Sequence, residues 1–413
     1  MRVLLAHPGT QYSFRLAIEL QRKAALSAFH TGYAFCTDGW ADHAWRALPS
    51  GWQKRAANRR IDGLPTRQLH CHPIGELRAL LQLRSGRDAE AVLHRRNERF
   101  QRAIPETAFA SAQAVVGFDT SAWILADRCR KRNLPFILDQ SIGHPRAKEC
   151  VYSQLREQFP RWAETLPPKL PALMECETAE HEMANVIVVP SRFVRQTLIA
   201  QGVAAEKIRV IPFGTDLTLF APATRPVPRP MVFLFAGSIT ARKGVPVLLN
   251  AWRRAALKGH AELWLAGPGR LPAEEGLPNG VRLLGPLSKF DLAETMRRAH
   301  VFIFPSFFEG LAQVQVEALA SGLPLIGSTA SGAEDIVVPG ETGFVGAPDD
   351  AAQFATWMQQ LVEDESLWAR MRESCVSTRE QLGWEHYGNR WSQVLAKLNL
   401  LSAKKVIKDL AIY

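Results

Sequence analysis

Short apolar runs alternate with longer amphipathic stretches along the whole chain. The first run, Val3-Leu4-Leu5-Ala6, ends in the turn His7-Pro8-Gly9-Thr10, and Phe14, Ile18 and Leu26 then recur near helical spacing. Strand, tight turn and helix in that order open an α/β sheet. Further strand-like runs fall at 114–117, 136–138, 186–189 and 210–211, each beside helix-like sequence. That order predicts a parallel sheet with crossovers rather than hairpins.

The prolines of "APATRPVPR" disfavour both helix and central strand, so a linker is expected at 223–230. A second alternating series follows, with strands expected at 232–236, 262–266, 281–284, 301–304 and 324–326. The fold class expected is therefore α/β, with two Rossmann-like doubly wound domains facing a central cleft: 1–222 before the linker and 231–389 after it. The mixed three and four spacing of Trp384, Tyr387, Trp391, Val394 and Leu395 predicts a closing helix, whose part from about 390 to 413 could pack back on the first domain. Ligands of such sheets lie at the carboxyl ends of the strands that border the cleft.

Composition adds few constraints and charge adds one. At 413 residues with 47% hydrophobic side chains, the chain is long enough for two full cores. The six cysteines form no C-x-x-C pair, which fits reduced thiols, and His70-Cys71-His72 lacks the second ligand pair of a zinc site, so no metal is expected. The N-terminus reads as no signal peptide, and no run is long enough to span a membrane, so a cytoplasmic protein is expected. The net charge of +10 favours an anionic partner. Much of it sits at 46–102, where thirteen Lys and Arg meet five acids, with Leu77, Leu80, Leu81, Leu83 and Leu93 interspersed. Such a segment suits either an ordinary solvated face or an interfacial helix on anionic lipid at the inner face of the membrane.

The most informative stretch is "VFIFPSFFEGLAQVQVEALASGLPLI", 301–326. A buried strand ends at Pro305-Ser306, a short loop carries Glu309 and Gly310, and a helix runs to about Ser321 before Gly322 stops it. Glu317 follows Glu309 by eight positions, so two carboxylates could accept hydrogen bonds from two sets of sugar hydroxyls. A solvated helix face with an ordinary loop acid would also leave this pattern.

The two glutamates at this spacing, between "PSFFEG" and "EALASGLPLI", resemble the donor-site signature of glycosyltransferase family 4, the retaining, GT-B-fold enzymes of glycosyl transferases group 1. The resemblance implies that Glu309 contacts the transferred sugar, that Glu317 holds the ribose hydroxyls, and that the Gly310-Leu311-Ala312 backbone helps to bind the donor. "FLFAGSITARKGVPVLLNAW" is similar to the family's basic segment, with Gly237 after a strand and Arg242-Lys243 where a diphosphate would lie. Ser238 stands where the family usually has an arginine. "VRLLGPLS" is similar to the base-binding segment, which places backbone near Gly285 and Leu287 against the base. Family members also carry a cleft histidine after the strand here read at 136–138, and His144 is best placed for it. Gly9 and Thr10 would face the cleft at a helix N-terminus as a phosphate or acceptor contact, and the resemblance implies acceptor binding by 1–222 and nucleotide-sugar donor binding by 231–389.

The expected function is thus transfer of a hexose-type sugar from a UDP- or GDP-sugar, with retention, to a hydroxyl of a glycan, glycolipid or lipid-linked acceptor. The nucleotide sugar is a co-substrate, and no cofactor is expected. Two alternatives are a sugar-nucleotide epimerase of the same architecture, which would need no acceptor, and a nucleic-acid-binding protein. The second rests on charge alone: aromatics are not interleaved with the basic run and no nucleic-acid motif occurs, so nucleic acid is not an expected partner.

Overall fold

A computed structural model describes residues 1–10, 12–36, 59–224, 228–257 and 259–410, with side chains described to residue 400. The linker is therefore described only in part, and Arg46, Lys54 and Arg55 of the basic segment lie outside the described residues. In the first half run β1 (Val3–His7), β2 (Leu26–Thr31), β3 (Phe35–Cys36), β4 (Arg60–Ile61), β5 (Leu69–Cys71), β6 (Ala114–Phe118), β7 (Phe136–Asp139), β8 (Val186–Val189) and β9 (Ile208–Val210). The second half adds β10 (Met231–Ala236), β11 (Ala261–Ala266), β12 (Val281–Gly285), β13 (Val301–Phe304), β14 (Leu325–Ser328) and β15 (Gly343–Gly346).

Two parallel sheets result, ordered β5-β2-β1-β6-β7-β8-β9 and β12-β11-β10-β13-β14-β15, with β3 and β4 paired apart. Each large sheet reverses direction once, between β1 and β6 and between β10 and β13, and a crevice opens at such a reversal above the carboxyl ends of the strands. The central strands are buried throughout, as a sheet covered on both faces requires: β1, β6, β10 and β13 carry no exposed residue.

Leu26 opens β2 instead of extending the first helix, which spans Ser13–Arg22; Ala24, at φ 53°, turns the chain into the strand. The strand read at 210–211 lies earlier, at β9, because Val189 pairs with Val210 and Ile211 only donates its N–H to Val189 O, at 2.8 Å. The basic segment forms two packed helices, Pro73–Arg84 and Ala89–Ala103.

The closing helix, Trp384–Leu410, returns to the first half, where Tyr387, Trp391 and Leu395 enter the core formed by Val3, Leu5, Phe14 and Ile18. Tyr12 donates to Asp139 Oδ1 at 2.9 Å and Tyr387 to Oδ2 at 3.4 Å, so one buried carboxylate joins the first helix region, β7 and the closing helix. Burial pushes the Asp139 carboxyl well above its ordinary range. No helix among the described residues is long and apolar enough to cross a membrane.

Candidate functional site

A cavity of roughly 500 Å³ lies at the reversal of the second sheet. Its floor is made where β10 and β11 end. Gly237 donates to Ala266 O at 2.8 Å and Gly267 to Gly285 O at 2.8 Å, so the three strand ends are laced together. A Cβ on Gly267, at φ 144°, would come within 1.9 Å of Gly237 O; only glycine permits this approach.

One wall is the segment before the helix Val245–Ala255. Gly244, at φ 75°, caps that helix and turns the chain so that Arg242 and Lys243 face the cavity. Arg242 is fixed by the loop after β13: its backbone carbonyl accepts from Phe307 N at 2.8 Å and Ser306 Oγ at 3.0 Å, and its Nη1 donates to Phe308 O at 2.8 Å. Lys243 Nζ lies 2.5 Å from Glu309 Oε1 and 5.0 Å from the Phe304 ring centroid. Arg242 pairs with the same carboxylate oxygen, which also accepts from Ser306 Oγ at 3.3 Å.

Three charged groups are thus packed into one buried cluster. Burial alone would raise the Glu309 carboxyl, but Lys243 and Arg242 outweigh it and hold the group below its ordinary value. Burial lowers the Lys243 ammonium against the opposing pull of Glu309. The cluster carries one more positive than negative charge and is lined by backbone at the sheet's crevice, which suits a small polyanion.

Gly237, Arg242, Lys243, Leu287, Glu309, Leu311 and Ala312 all line this cavity. Five expected residues do not. Glu317, in the helix Gln313–Ala320, is buried 3.6 Å from Lys289 Nζ, and burial raises its carboxyl while Lys289 lowers it. Gly285 stands behind the floor as the acceptor for Gly267. Gly310 stands between the lining residues Glu309 and Leu311, and its missing side chain serves a protein contact: a Cβ there would come within 1.8 Å of Ser141 O in the first half. Its carbonyl also accepts from Ser191 Oγ.

His144 is buried at the N-cap of the helix Pro145–Gln158, where its Nδ1 accepts from Arg146 N at 3.2 Å. Burial lowers it to about 4, so the ring is neutral. The loop before it packs against the loop that carries Glu309, since a Cβ on Gly143 would come within 2.6 Å of the Phe308 ring. Gly9 precedes its helix, which starts at Ser13, and lines a separate cavity in the first half together with Thr10.

Several lining residues escaped the sequence reading. Pro268 and Leu292 line the cavity, and the turn after β11, "AGPG", was the available signal, because two glycines directly after a buried strand mark close backbone approach.

Residues 230–364 match the family described as glycosyl transferases group 1. The chain is 28% identical over 249 residues to D-inositol 3-phosphate glycosyltransferase 1 of Catenulispora acidiphila, covering 53% of this chain and 59% of that protein. It is 30% identical over 237 residues to the MMP alpha-(1->4)-mannosyltransferase of Mycolicibacterium hassiacum, covering 55% and 57%. It therefore spans less than two thirds of the length of these relatives. Sucrose-phosphate synthase from Thermosynechococcus elongatus superimposes with a TM-score of 0.65 at 20% identity, over 97% of this chain and 100% of that one. Anabaena HepE in complex with UDP-glucose does so with a TM-score of 0.63 at 14% identity, over 96% and 100%. The fold is the GT-B arrangement of two Rossmann-like sheets.

Proposed function

We propose that the protein is a retaining glycosyltransferase of family 4 that moves a hexose-type sugar from a nucleoside diphosphate sugar to an acceptor hydroxyl. The observation that carries this is the Arg242–Lys243–Glu309 cluster at the reversal of the second sheet. Arg242 and Lys243 would hold the diphosphate, Glu309 would meet the sugar hydroxyls, and Leu311 and Ala312 would offer backbone at the start of the helix. Glu317 would take the ribose, with Lys289 releasing it, and the segment at Gly285 and Leu287 would receive the base. UDP is preferred to GDP as the first candidate because HepE is described in complex with UDP-glucose.

In the reaction the acceptor oxygen forms a bond to the anomeric carbon on the face from which the diphosphate leaves. The bond from that carbon to the diphosphate oxygen breaks with its electron pair on the diphosphate, which also takes the acceptor's proton. Arg242 and Lys243 compensate the charge that develops there, and we assign them this work without a metal ion. An enzyme carboxylate acting as nucleophile is not required. The test is the anomeric configuration of the product by proton NMR, together with nucleoside diphosphate release: a retained configuration that depends on an added acceptor supports the reading. An inverted product, or donor conversion without acceptor, contradicts it, the latter favouring the epimerase.

A membrane-peripheral location is supported by one surface. On the helix Pro73–Arg84, Ile74, Leu77 and Leu81 are 69%, 58% and 67% exposed, and Arg78 and Arg84 are exposed beside them. Apolar side chains among cations suit the interface of an anionic bilayer, and a lipid-linked acceptor would be met there. Co-sedimentation with anionic vesicles at low salt tests it; a protein left in the supernatant contradicts it.

A further inference from the structure

The loop that carries Glu309 rests on a buried chain of amide and hydroxyl groups. The chain begins at Gln315 in the helix Gln313–Ala320, a side chain as fully buried as its neighbours Val316 and Ala318. Gln315 Nε2 donates to Ser331 O at 2.8 Å, and its Oε1 accepts from Ser331 Oγ at 3.0 Å. The Ser331 hydroxyl is shared with Ser328 O, at 2.7 Å. Ser328 closes β14, and its Oγ donates to Ser306 O just beyond β13. Ser306 Oγ in turn lies 3.0 Å from Arg242 O and 3.3 Å from Glu309 Oε1. The side chains of Gln315, Ser331, Ser328 and Ser306 thus run without a break from the helix to the charged cluster, and all four residues are fully buried.

Such a chain is not explained by stability. A buried amide costs free energy unless its hydrogen bonds are met, and an apolar pair of the same shape in place of Gln315 and Ser331 would be about as stable. What a satisfied polar network adds is a single arrangement. The sequence makes room for it: a Cβ on Gly327 would come within 3.2 Å of Gln315 Oε1 and 2.5 Å of Ala333 Cβ. The same loop after β14 also holds the backbone, since Glu309 N donates to Ala330 O at 3.0 Å.

The arrangement that is fixed is that of one carboxylate. Arg242, Lys243 and Ser306 all meet Glu309 at Oε1. Oε1 is therefore the anchor, and Oε2 is the oxygen left for a ligand in the cavity that Glu309 lines. The terminal torsion of a glutamate is broad, and an ammonium is a point charge that follows either oxygen, so charge alone leaves the carboxylate plane free to rock. A hydroxyl on a held backbone is directional. Ser306 supplies it, and Ser328 holds the Ser306 carbonyl.

We propose that Gln315, Ser331, Ser328 and Ser306 form a positioning relay that sets the plane of the Glu309 carboxylate and so presents Oε2 to a hydroxyl of the transferred sugar. The ligand rests on the glycosyltransferase reading, while the relay rests on the hydrogen bonds themselves. None of the four residues lines the cavity, so they act through Glu309 and not on the donor.

The experiment joins a readout without ligand to one with it, both on the full chain. The side-chain carboxyl resonance of Glu309, assigned by its loss in Glu309→Gln, is followed by carbon-13 NMR in protein labelled at glutamate. Affinities for UDP, UDP-glucose and UDP-galactose are measured by calorimetry. Gln315→Leu keeps the size of the side chain and removes the amide. In it the Glu309 resonance should move with no nucleotide present. UDP affinity should stay within about twofold of wild type, while the better UDP-sugar should lose about fivefold relative to UDP, the worth of one hydrogen bond. Ser331→Ala breaks the chain one step nearer and should act in the same direction; it carries the test if Gln315→Leu does not fold. Val316→Ala loosens the packing of the same helix without touching the chain, and should leave both readouts as in the wild type. A Glu309 resonance unmoved in either chain variant, equal losses for UDP and UDP-sugar, or the same changes in Val316→Ala would overturn the proposal. Failure of the wild type to bind any nucleotide would count against the donor reading alone, because the resonance is read without nucleotide.

Discussion

Gly310 and Ser141 meet so closely that a Cβ on the glycine would lie 1.8 Å from the serine's carbonyl oxygen. The contact joins the loop that carries Glu309 to the loop after β7, so the two sheets are pinned together beside the cavity. Gly310→Ala must separate them. We predict a fall in transfer rate of at least tenfold with the secondary structure intact, measured by nucleoside diphosphate release and circular dichroism.

Glu309 pairs with two basic side chains and offsets one of their two charges. Glu309→Gln leaves Arg242 and Lys243 close together without their anion, which should destabilise the chain by roughly 3 kcal/mol in urea melts. UDP would restore the missing charge. Its stabilising effect on melting temperature should therefore be larger in the variant than in the wild type, although transfer is lost.

Asp119 gives the pH prediction. Burial first, then the charge of Glu177, raise its carboxyl from 3.8 to about 7, against the opposing bond from Ser141 Oγ at 2.9 Å. The folded state therefore holds a proton that the unfolded state has released, and stability falls as pH rises from about 4 to about 7, by at most about 1.4 kcal/mol per pH unit from this group. Asp119→Asn removes that decline. Urea melts at pH 5 and pH 7 should show the variant gaining on the wild type at the higher pH; a constant difference would contradict the assignment.

His144 acts as a helix cap in this structure, and its ring stays neutral over the working range. His144→Ala should cost about 1 kcal/mol of stability, as the loss of a cap does. The pH profile of kcat between pH 5 and 8 should be the same in variant and wild type. A new or missing inflection in that window would return the histidine to the chemistry.

Much of the fold was legible in the sequence because buried parallel strands read as uninterrupted apolar runs. Met231–Ala236 and Val301–Phe304 are such runs, and the glycines after them mark the site. Leu26–Thr31 was hidden because Ser27, His30 and Thr31 interrupt it, and the buried His30 meets its partner, His72 at 2.9 Å, only in the folded chain. Gly343–Gly346 was hidden because glycines bound it, where turn and strand look alike.

Within the site, local spacing put forward Arg242, Lys243 and Glu309, which the folded chain brings together around one carboxylate. What spacing omits is distance across the chain. Nothing in "FFEG" reveals Ser141, and nothing in "IGHPR" reveals that His144 is buried against His181, 5.1 Å between ring centroids. The ion pairs of Glu76 with Arg59 and Arg96 likewise turn a run that reads as strongly basic into a partly neutralised one.

Charge compensation by Arg242 and Lys243 makes a further prediction about metals. Transfer should persist in excess EDTA at no less than about half its rate, measured after gel filtration into chelator. A loss restored by added magnesium or manganese would contradict the assignment of those two side chains.

Isothermal titration of UDP into the wild type and Lys243→Ala tests the central claim most directly, because Lys243 lines the cavity and meets Glu309 at 2.5 Å. One UDP should bind per chain, at least tenfold more weakly in the variant than in the wild type. Equal affinity in both proteins, or no binding of UDP, GDP or ADP by the wild type, would contradict it.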